Sequence, residues 1–120
     1  MKYALLMFTN PEDARALSRE DLDRIGRKHE NLRNDLTATG ELLNGAGLVL
    51  PDQTTLLRLE NGDTVVTRQG PFAAEATEHV TAYYVVECVD AERAREIGVH
   101  LLDDHVLAVE VRAIHDSTGM

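Results

Sequence analysis

The chain has 120 residues, a length that suits one domain with a single hydrophobic core. Its 21 Asp and Glu residues outnumber 12 Lys and Arg, and the formal net charge of -9 would repel nucleic-acid phosphates. No apolar run is long enough to cross a bilayer, and the single cysteine, Cys88, cannot form an intramolecular disulfide. These features predict a cytoplasmic protein without nucleic-acid or membrane partners.

The first part of the chain predicts a strand, a short helix and a long helix. Residues 2–8 are almost continuously apolar, which predicts a central strand covered on both faces. Asn10 is a suitable cap for a short helix. Ser18 and Asp21 form a capping-box pattern at the start of the long helix. Residues at steps of three and four then mark its inner face, and they are Leu22, Ile25, His29, Leu32, Leu36 and Thr39.

The second part predicts a short strand or a glycine-rich loop at residues 41–51, then a β-hairpin, a strand, a helix and a final strand. An Asn-Gly pair lies between two β-prone runs, residues 54–59 and 64–68, which is the strongest local signal for a hairpin. Residues 82–88 are rich in Tyr and Val and predict a buried strand. Asp90 is a suitable cap for a second amphipathic helix. Residues 106–114 alternate between apolar and polar side chains and predict the last strand.

This order of elements predicts an α+β fold in a single domain over residues 1–120. Two helices would pack on one face of a mostly antiparallel sheet. The simplest topology is a ferredoxin-like βαββαβ core with an inserted β-hairpin. Because the chain has no third long helix for the other sheet face, a second copy would cover that face, and the sequence predicts a homodimer.

Five fragments of the sequence resemble one known family. They are KYALLMF at the start, TGELLNGAGLVLP after the long helix, TTLLRLENGDTVVTRQGPFAAE across the hairpin, the strand AYYVVE, and VEVR near the end. Together they are similar to the YCII-related proteins, specifically the subgroup named for its Asp-Gly-Pro-Phe (DGPF) motif, over essentially the whole chain. Gln69 stands where that motif has Asp, and an amide cannot act as a general base.

The resemblance implies a dimeric α/β barrel of ferredoxin-like subunits in a small, bacterial, cytoplasmic protein. A few relatives act on small aromatic or cyclic metabolites, and a His and Asp pair is proposed as catalytic in part of the wider family. Genes of the subgroup often lie beside genes for sigma factors. Two functions therefore stay open: binding or transformation of a small metabolite, and a non-catalytic dimeric module that acts through partner proteins in a regulatory circuit.

The candidate site lies where the long helix meets the sheet and the Gly-Pro-Phe loop. His29 is an ionisable residue within the apolar stripe, so it is either a packing residue or a catalytic group that titrates near neutral pH. Arg58 lies on the first hairpin strand, where it either binds a carboxylate of a ligand or pairs with a surface acid. A small-molecule ligand would bind between these elements.

The Gly-Pro-Phe loop itself has a structural and a functional interpretation. A proline cannot donate to a β-ladder and a phenylalanine fills a hydrophobic gap, so Pro71 and Phe72 would end a strand and anchor the loop to the core. We favour this structural role for both residues. In the functional interpretation the loop forms the rim of a ligand pocket, with Gln69, Phe72 and Glu75 as ligand-binding residues.

The sequence predicts neither a metal site nor a cofactor. The segment HLLDDH, residues 100–105, contains residue types that bind metals, but its spacing is not that of a zinc site. It is more typical of a solvated helix end. The glycine-rich loop that binds phosphates and the Gly-x-Ser-x-Gly elbow of hydrolases are both absent.

Overall fold

A computed structural model describes residues 1–119 of the chain. Its elements follow the predicted order, although the strand predicted from residue 82 begins three residues earlier. No membrane-spanning helix occurs among residues 1–119, because none has the length and apolar character that a bilayer requires. The elements are β1 (Lys2–Thr9), α1 (Pro11–Arg15), α2 (Arg19–Ala38), β2 (Leu42–Gly47), β3 (Thr55–Glu60), β4 (Thr64–Gln69), β5 (His79–Glu87), α3 (Ala91–Leu101) and β6 (Ala108–Ala113).

Local side-chain hydrogen bonds determine where the helices begin. The Asn10 side chain accepts a backbone hydrogen bond at the start of α1. At the start of α2, Ser18 Oγ accepts from the Asp21 N–H at 3.0 Å, and Asp21 Oδ2 accepts from the Ser18 N–H at 3.2 Å. This reciprocal pair confirms the predicted capping box. Asp90 caps α3 in the same manner as Asn10 caps α1.

Four strands form an antiparallel sheet in the order β2-β5-β1-β6. Strand β1 pairs with both β5 and β6, so it is the central strand that its apolar sequence predicted. Its burial nevertheless alternates, with every second residue from Tyr3 to Thr9 buried and the residues between them only partly buried. The expected coverage of both faces is therefore not met within one chain, because both long helices contribute to the same core.

The core lies between this sheet and the inner faces of α2 and α3. Helix α3 approaches β6 closely at Gly98, where an added Cβ would lie 3.3 Å from the Val111 Cγ2. The fold is thus α+β, with two helices on one face of a mostly antiparallel sheet. The largest of its fully buried apolar side chains are Leu5, Leu36, Val86, Ile97, Leu101 and Val106.

The predicted hairpin is confirmed, and it forms a separate two-stranded sheet from β3 and β4. Asn61 and Gly62 have φ angles of 55° and 78°, the left-handed conformation in which an Asn-Gly turn is favoured. Leu57, Leu59 and Val65 share one face of the hairpin and are 64%, 62% and 66% exposed. One side of the hairpin therefore exposes three apolar side chains to solvent.

An ion pair fastens the first turn of α3 to the segment before β2. Arg93 donates from Nε and Nη2 to the two carboxylate oxygens of Glu41, at 2.9 and 2.8 Å. These hydrogen bonds lower the pKa of Glu41 from 4.5 to about 2. Because the folded-state pKa lies below the unfolded one, the pair stabilises the fold above pH 4.5, and this stabilisation is lost as the pH falls towards 2.

We expect Glu41→Gln to lower the free energy of unfolding at pH 7 by about 1–3 kcal/mol, since charge-assisted bonds from Arg93 are lost. The variant should also lose less stability than the wild type between pH 4.5 and 2. Urea unfolding at a series of pH values measures both effects. Asp104→Asn is the matched control, because that carboxylate is 84% exposed and its contact with Arg24 is 3.9 Å long. Equal behaviour of the two variants would contradict the prediction.

Candidate functional site

A cleft of about 740 Å³ lies between α2, β2 and β5. Glycines leave space in this cleft, because Gly26, Gly45 and Gly47 line its walls with backbone atoms alone. A Cβ added at Gly26 or Gly47 would meet no atom within 4 Å. The polar side chains that line the cleft are His29, Arg33, Asn44 and Tyr84.

A hydrogen bond joins two of these side chains across the wall of the cleft. His29 Nδ1 and the Tyr84 hydroxyl are 2.8 Å apart, and their ring centroids are 5.9 Å apart. Tyr84 is buried on the face of β5 that packs against the helices, whereas His29 on α2 is partly buried. The rigid strand thus holds the imidazole of the helix in position.

The surroundings of this pair keep both rings uncharged at neutral pH. Burial lowers the pKa of His29 below 6.5, and the charges of Lys28 and Arg33 act in the same direction. Burial raises the pKa of Tyr84 above 10, against the charge and the hydrogen bonding of Arg33. A neutral imidazole has one donor and one acceptor nitrogen. Since Tyr84 engages Nδ1, the nitrogen left for a ligand is Nε2 of His29.

A second polar cluster supports α2 beside His29. Asp103 Oδ1 accepts hydrogen bonds from the backbone N–H groups of His105 and Val106, at 2.7 and 2.6 Å. Its Oδ2 accepts from Lys28 Nζ at 2.9 Å, which joins the loop after α3 to α2. The sequence predicted a solvated helix end at residues 100–105. The Asp103 side chain is instead only 14% exposed, because its carboxylate binds backbone N–H groups of the loop.

A smaller cleft of about 230 Å³ shares His29 and Ala82 with the first one. Its walls are mostly apolar, and they include Thr9, whose hydroxyl donates to that of Thr81 at 2.9 Å. They also include His105, whose Nδ1 is buried and has no hydrogen-bonding partner among residues 1–119. His29 therefore lies between the wide cleft and the narrow one, and His105 also lines the narrow one.

The structure does not bring the other predicted site residues to the cleft that contains His29. The Arg58 guanidinium lies over the Phe72 ring, 5.4 Å from its centroid. The Gln69 side chain donates to a backbone carbonyl in the turn before β3 at 3.1 Å, and Glu75 is exposed in the loop after β4. None of these four residues lines the cleft. Within one chain the predicted site is divided between α2 and the hairpin.

The Gly-Pro-Phe loop is anchored to the hairpin rather than to the core. Gly70 has a φ of 112°, and its N–H donates to the Thr54 carbonyl at 2.7 Å, so the loop ends β4 as predicted. Phe72 is 70% exposed, so the prediction that its ring fills a gap in the core was wrong. The reason is that the hairpin forms its own sheet, and the ring packs on Arg58 through a cation–π contact instead.

Sequence reasoning missed Arg33, Tyr84 and the glycines of the cleft. One signal was present, because Gly26, His29 and Arg33 follow each other at steps of three and four and so share a helix face. A glycine inside a helix costs about 1 kcal/mol relative to alanine, which suggests a requirement for space. Tyr84 carried no such signal, since Tyr83 beside it is an equally β-prone aromatic residue.

Comparison with known proteins finds a sequence that is similar to most of the chain. No family model matches the chain. An uncharacterized protein of Rhizobium meliloti (strain 1021) is 30% identical over 98 residues, which cover 82% of this chain and 77% of the relative. Similarity over this share of both chains extends across the domain rather than a single motif. The chain therefore belongs to the same family as this uncharacterized protein of Rhizobium meliloti.

Proposed function

We propose that the protein binds a small metabolite in the cleft between α2, β2 and β5, and that His29 transfers a proton in its transformation. The observation that supports this is the 2.8 Å hydrogen bond between His29 and Tyr84 on the wall of a cleft of about 740 Å³. Small-molecule sites are concave, largely preformed and within this size range. A candidate acid–base group must also be held in place, which Tyr84 achieves here.

The chemistry of the cleft follows from the protonation state of His29. Its lowered pKa leaves the imidazole neutral at pH 7, so Nε2 can exchange a proton with a bound molecule. Tyr84 stays protonated because burial raises its pKa, and it acts as a positioning residue. Neither Asp nor Glu lines the cleft in the described part of the chain, so His29 is the lining group that titrates nearest to neutral pH.

We expect Gly26→Leu to abolish ligand binding while it raises stability. A leucine at this position extends into the cleft, because a Cβ there meets no atom within 4 Å. Loss of a glycine from a helix interior stabilises the chain by about 0.5–1 kcal/mol. A thermal-shift screen of aromatic acids, hydroxy acids and their neutral analogues on the wild type first identifies ligands. The same compounds are then titrated into the variant.

Gly26→Ala is the matched control for this experiment. It gives a similar gain in helix propensity, but it adds only a methyl group and should keep binding. Unchanged ligand affinity in Gly26→Leu would show that the ligand binds elsewhere and would contradict the proposal. A wild type whose melting temperature responds to no compound of the screen would contradict it as well.

We also propose that the domain is a ferredoxin-like member of the YCII-related proteins, in the DGPF subgroup. The sheet order β2-β5-β1-β6 supports a βαββαβ arrangement with β3 and β4 as its inserted hairpin. Helix α2 connects β1 to β2 across β5, and α3 connects β5 to β6 across β1, so each helix crosses over one intervening strand. The DGPF assignment depends on the sequence fragments, with Gln69 in place of the motif's Asp. We further propose that the protein is a homodimer and that it functions in a bacterial cytoplasm.

A non-catalytic module that acts through partner proteins is the second candidate function. The exposed face formed by Leu57, Leu59 and Val65 favours it, because apolar side chains grouped on one surface mark sites of protein association. Under this alternative, Leu57→Ser combined with Leu59→Ser removes function and Gly26→Leu does not. Complementation of a bacterial strain that lacks the protein, with each variant in turn, distinguishes the two functions.

A further inference from the structure

Acidic side chains are numerous in the chain, but none of those that the structure describes lines the cleft. The sequence contains 21 Asp and Glu residues and has a net charge of -9. Among residues 1–119, none of these carboxylates lines the wide cleft or the narrow one. A site built to hold a cation would carry acidic groups, so this distribution favours a ligand that is itself negatively charged.

The charged group that lines the wide cleft is a guanidinium without a carboxylate partner. Arg33 follows His29 by one helical turn on α2 and lines the same wall. No ion pair in the described part of the chain includes Arg33, although Lys28, Arg24 and Arg93 all pair with acids. A guanidinium presents a planar set of donors that matches a carboxylate in a two-bond arrangement.

We infer that the ligand of this cleft is a small monocarboxylic acid with an apolar body, whose carboxylate pairs with Arg33. This inference rests on the function proposed above. The apolar body lies against Leu42, Ala46 and Ala82, which line the cleft together with the bare backbone of its glycines. Nε2 of His29 then faces the part of the ligand next to its carboxylate.

The number of charges in the cleft selects a monoanion. His29 is neutral at pH 7, so Arg33 supplies a single positive charge. One carboxylate is balanced by that charge, whereas a phosphate ester close to the dianionic state keeps an uncompensated negative charge next to a protein of net charge -9. A neutral amide of the same shape leaves Arg33 without a counter-ion. The phosphate ester and the amide are therefore both expected to bind more weakly than the carboxylate.

The test compares benzoate and hexanoate with benzamide, hexanamide and phenyl phosphate by calorimetric titration. We expect each carboxylate to bind the wild type about tenfold or more tightly than its amide and than phenyl phosphate. Arg33→Gln should remove the preference for carboxylates and Arg33→Lys should keep part of it. Arg27→Gln is the control, because Arg27 is an exposed residue of α2 that lines neither cleft, and it should keep the full preference.

Several outcomes would overturn the inference. Amides or phenyl phosphate that bind as tightly as the carboxylates would do so, as would a carboxylate preference that survives Arg33→Gln. If neutral compounds bind the wild type but not Gly26→Leu, the ligand class is wrong and the proposed function stands. If no compound shows binding that Gly26→Leu removes, the proposed function fails together with the inference.

Discussion

His29→Ala is expected to abolish ligand binding with a loss of stability below about 1 kcal/mol. The imidazole lines the cleft and is only partly buried, so its removal eliminates the proposed acid–base group without opening a cavity in the core. If His29 were a packing residue, the same change would cost on the order of 1–3 kcal/mol and leave ligand affinity intact. Urea unfolding and ligand titration of one preparation separate these outcomes.

Two further variants sharpen this comparison. Tyr84→Phe keeps the buried ring but removes the hydroxyl that engages His29 Nδ1, so we expect weaker binding rather than its complete loss. His100→Ala is the matched control, because this histidine is exposed on α3 and lines neither cleft. Wild-type affinity in His29→Ala would remove the site hypothesis, whatever its effect on stability.

The lowered pKa of His29 also predicts how stability depends on pH. The folded chain resists protonation of this ring, because burial and the charges of Lys28 and Arg33 oppose it and the charge of Asp103 compensates only in part. Below the unfolded-state pKa of 6.5, the unfolded chain binds a proton that the folded chain does not. Unfolding free energy should therefore fall as the pH drops from 6.5 towards the folded-state pKa. His29→Ala should lose this contribution, and His100→Ala should keep it.

Leu6→Glu is expected to convert a homodimer into a monomer. Leu6 lies opposite Tyr83 on β5 and opposite Glu110 on β6, on the sheet face that the helices do not cover. In a dimer with two-fold symmetry the new carboxylate is buried twice, directly opposite the like charge of Glu110. A buried unpaired charge costs about 3–5 kcal/mol, which raises the dissociation constant of the dimer by about 100-fold or more.

Light scattering at micromolar concentration measures this change. The wild type should have twice the mass of one chain and Leu6→Glu the mass of a single chain. Val99→Glu is the control, because it adds the same charge on an exposed position of α3, where the side chain is 64% exposed, and should leave the dimer intact. A wild-type monomer mass at this concentration would contradict the prediction of a homodimer.

Local sequence patterns by themselves determined the secondary structure of this protein. Ser18 and Asp21 act through contacts three residues apart, and the Asn-Gly turn at Asn61 acts within the hairpin that it closes. Such interactions are nearly independent of the rest of the fold, which is why their positions were predicted correctly. The periodicity of α2 likewise placed His29 on the inner side of its helix.

Only the tertiary structure decided which residues share the cleft with His29. The partner Tyr84 is 55 positions away in the sequence, and no local pattern distinguishes it from Tyr83. Loop and hairpin placement also depends on packing, because β3 and β4 pair with each other and not with the main sheet. Because the hairpin is separate from the main sheet, Arg58 and Gln69 do not line the cleft. Contacts between distant segments arise from the packing of whole elements, so residue type and spacing alone could not specify them.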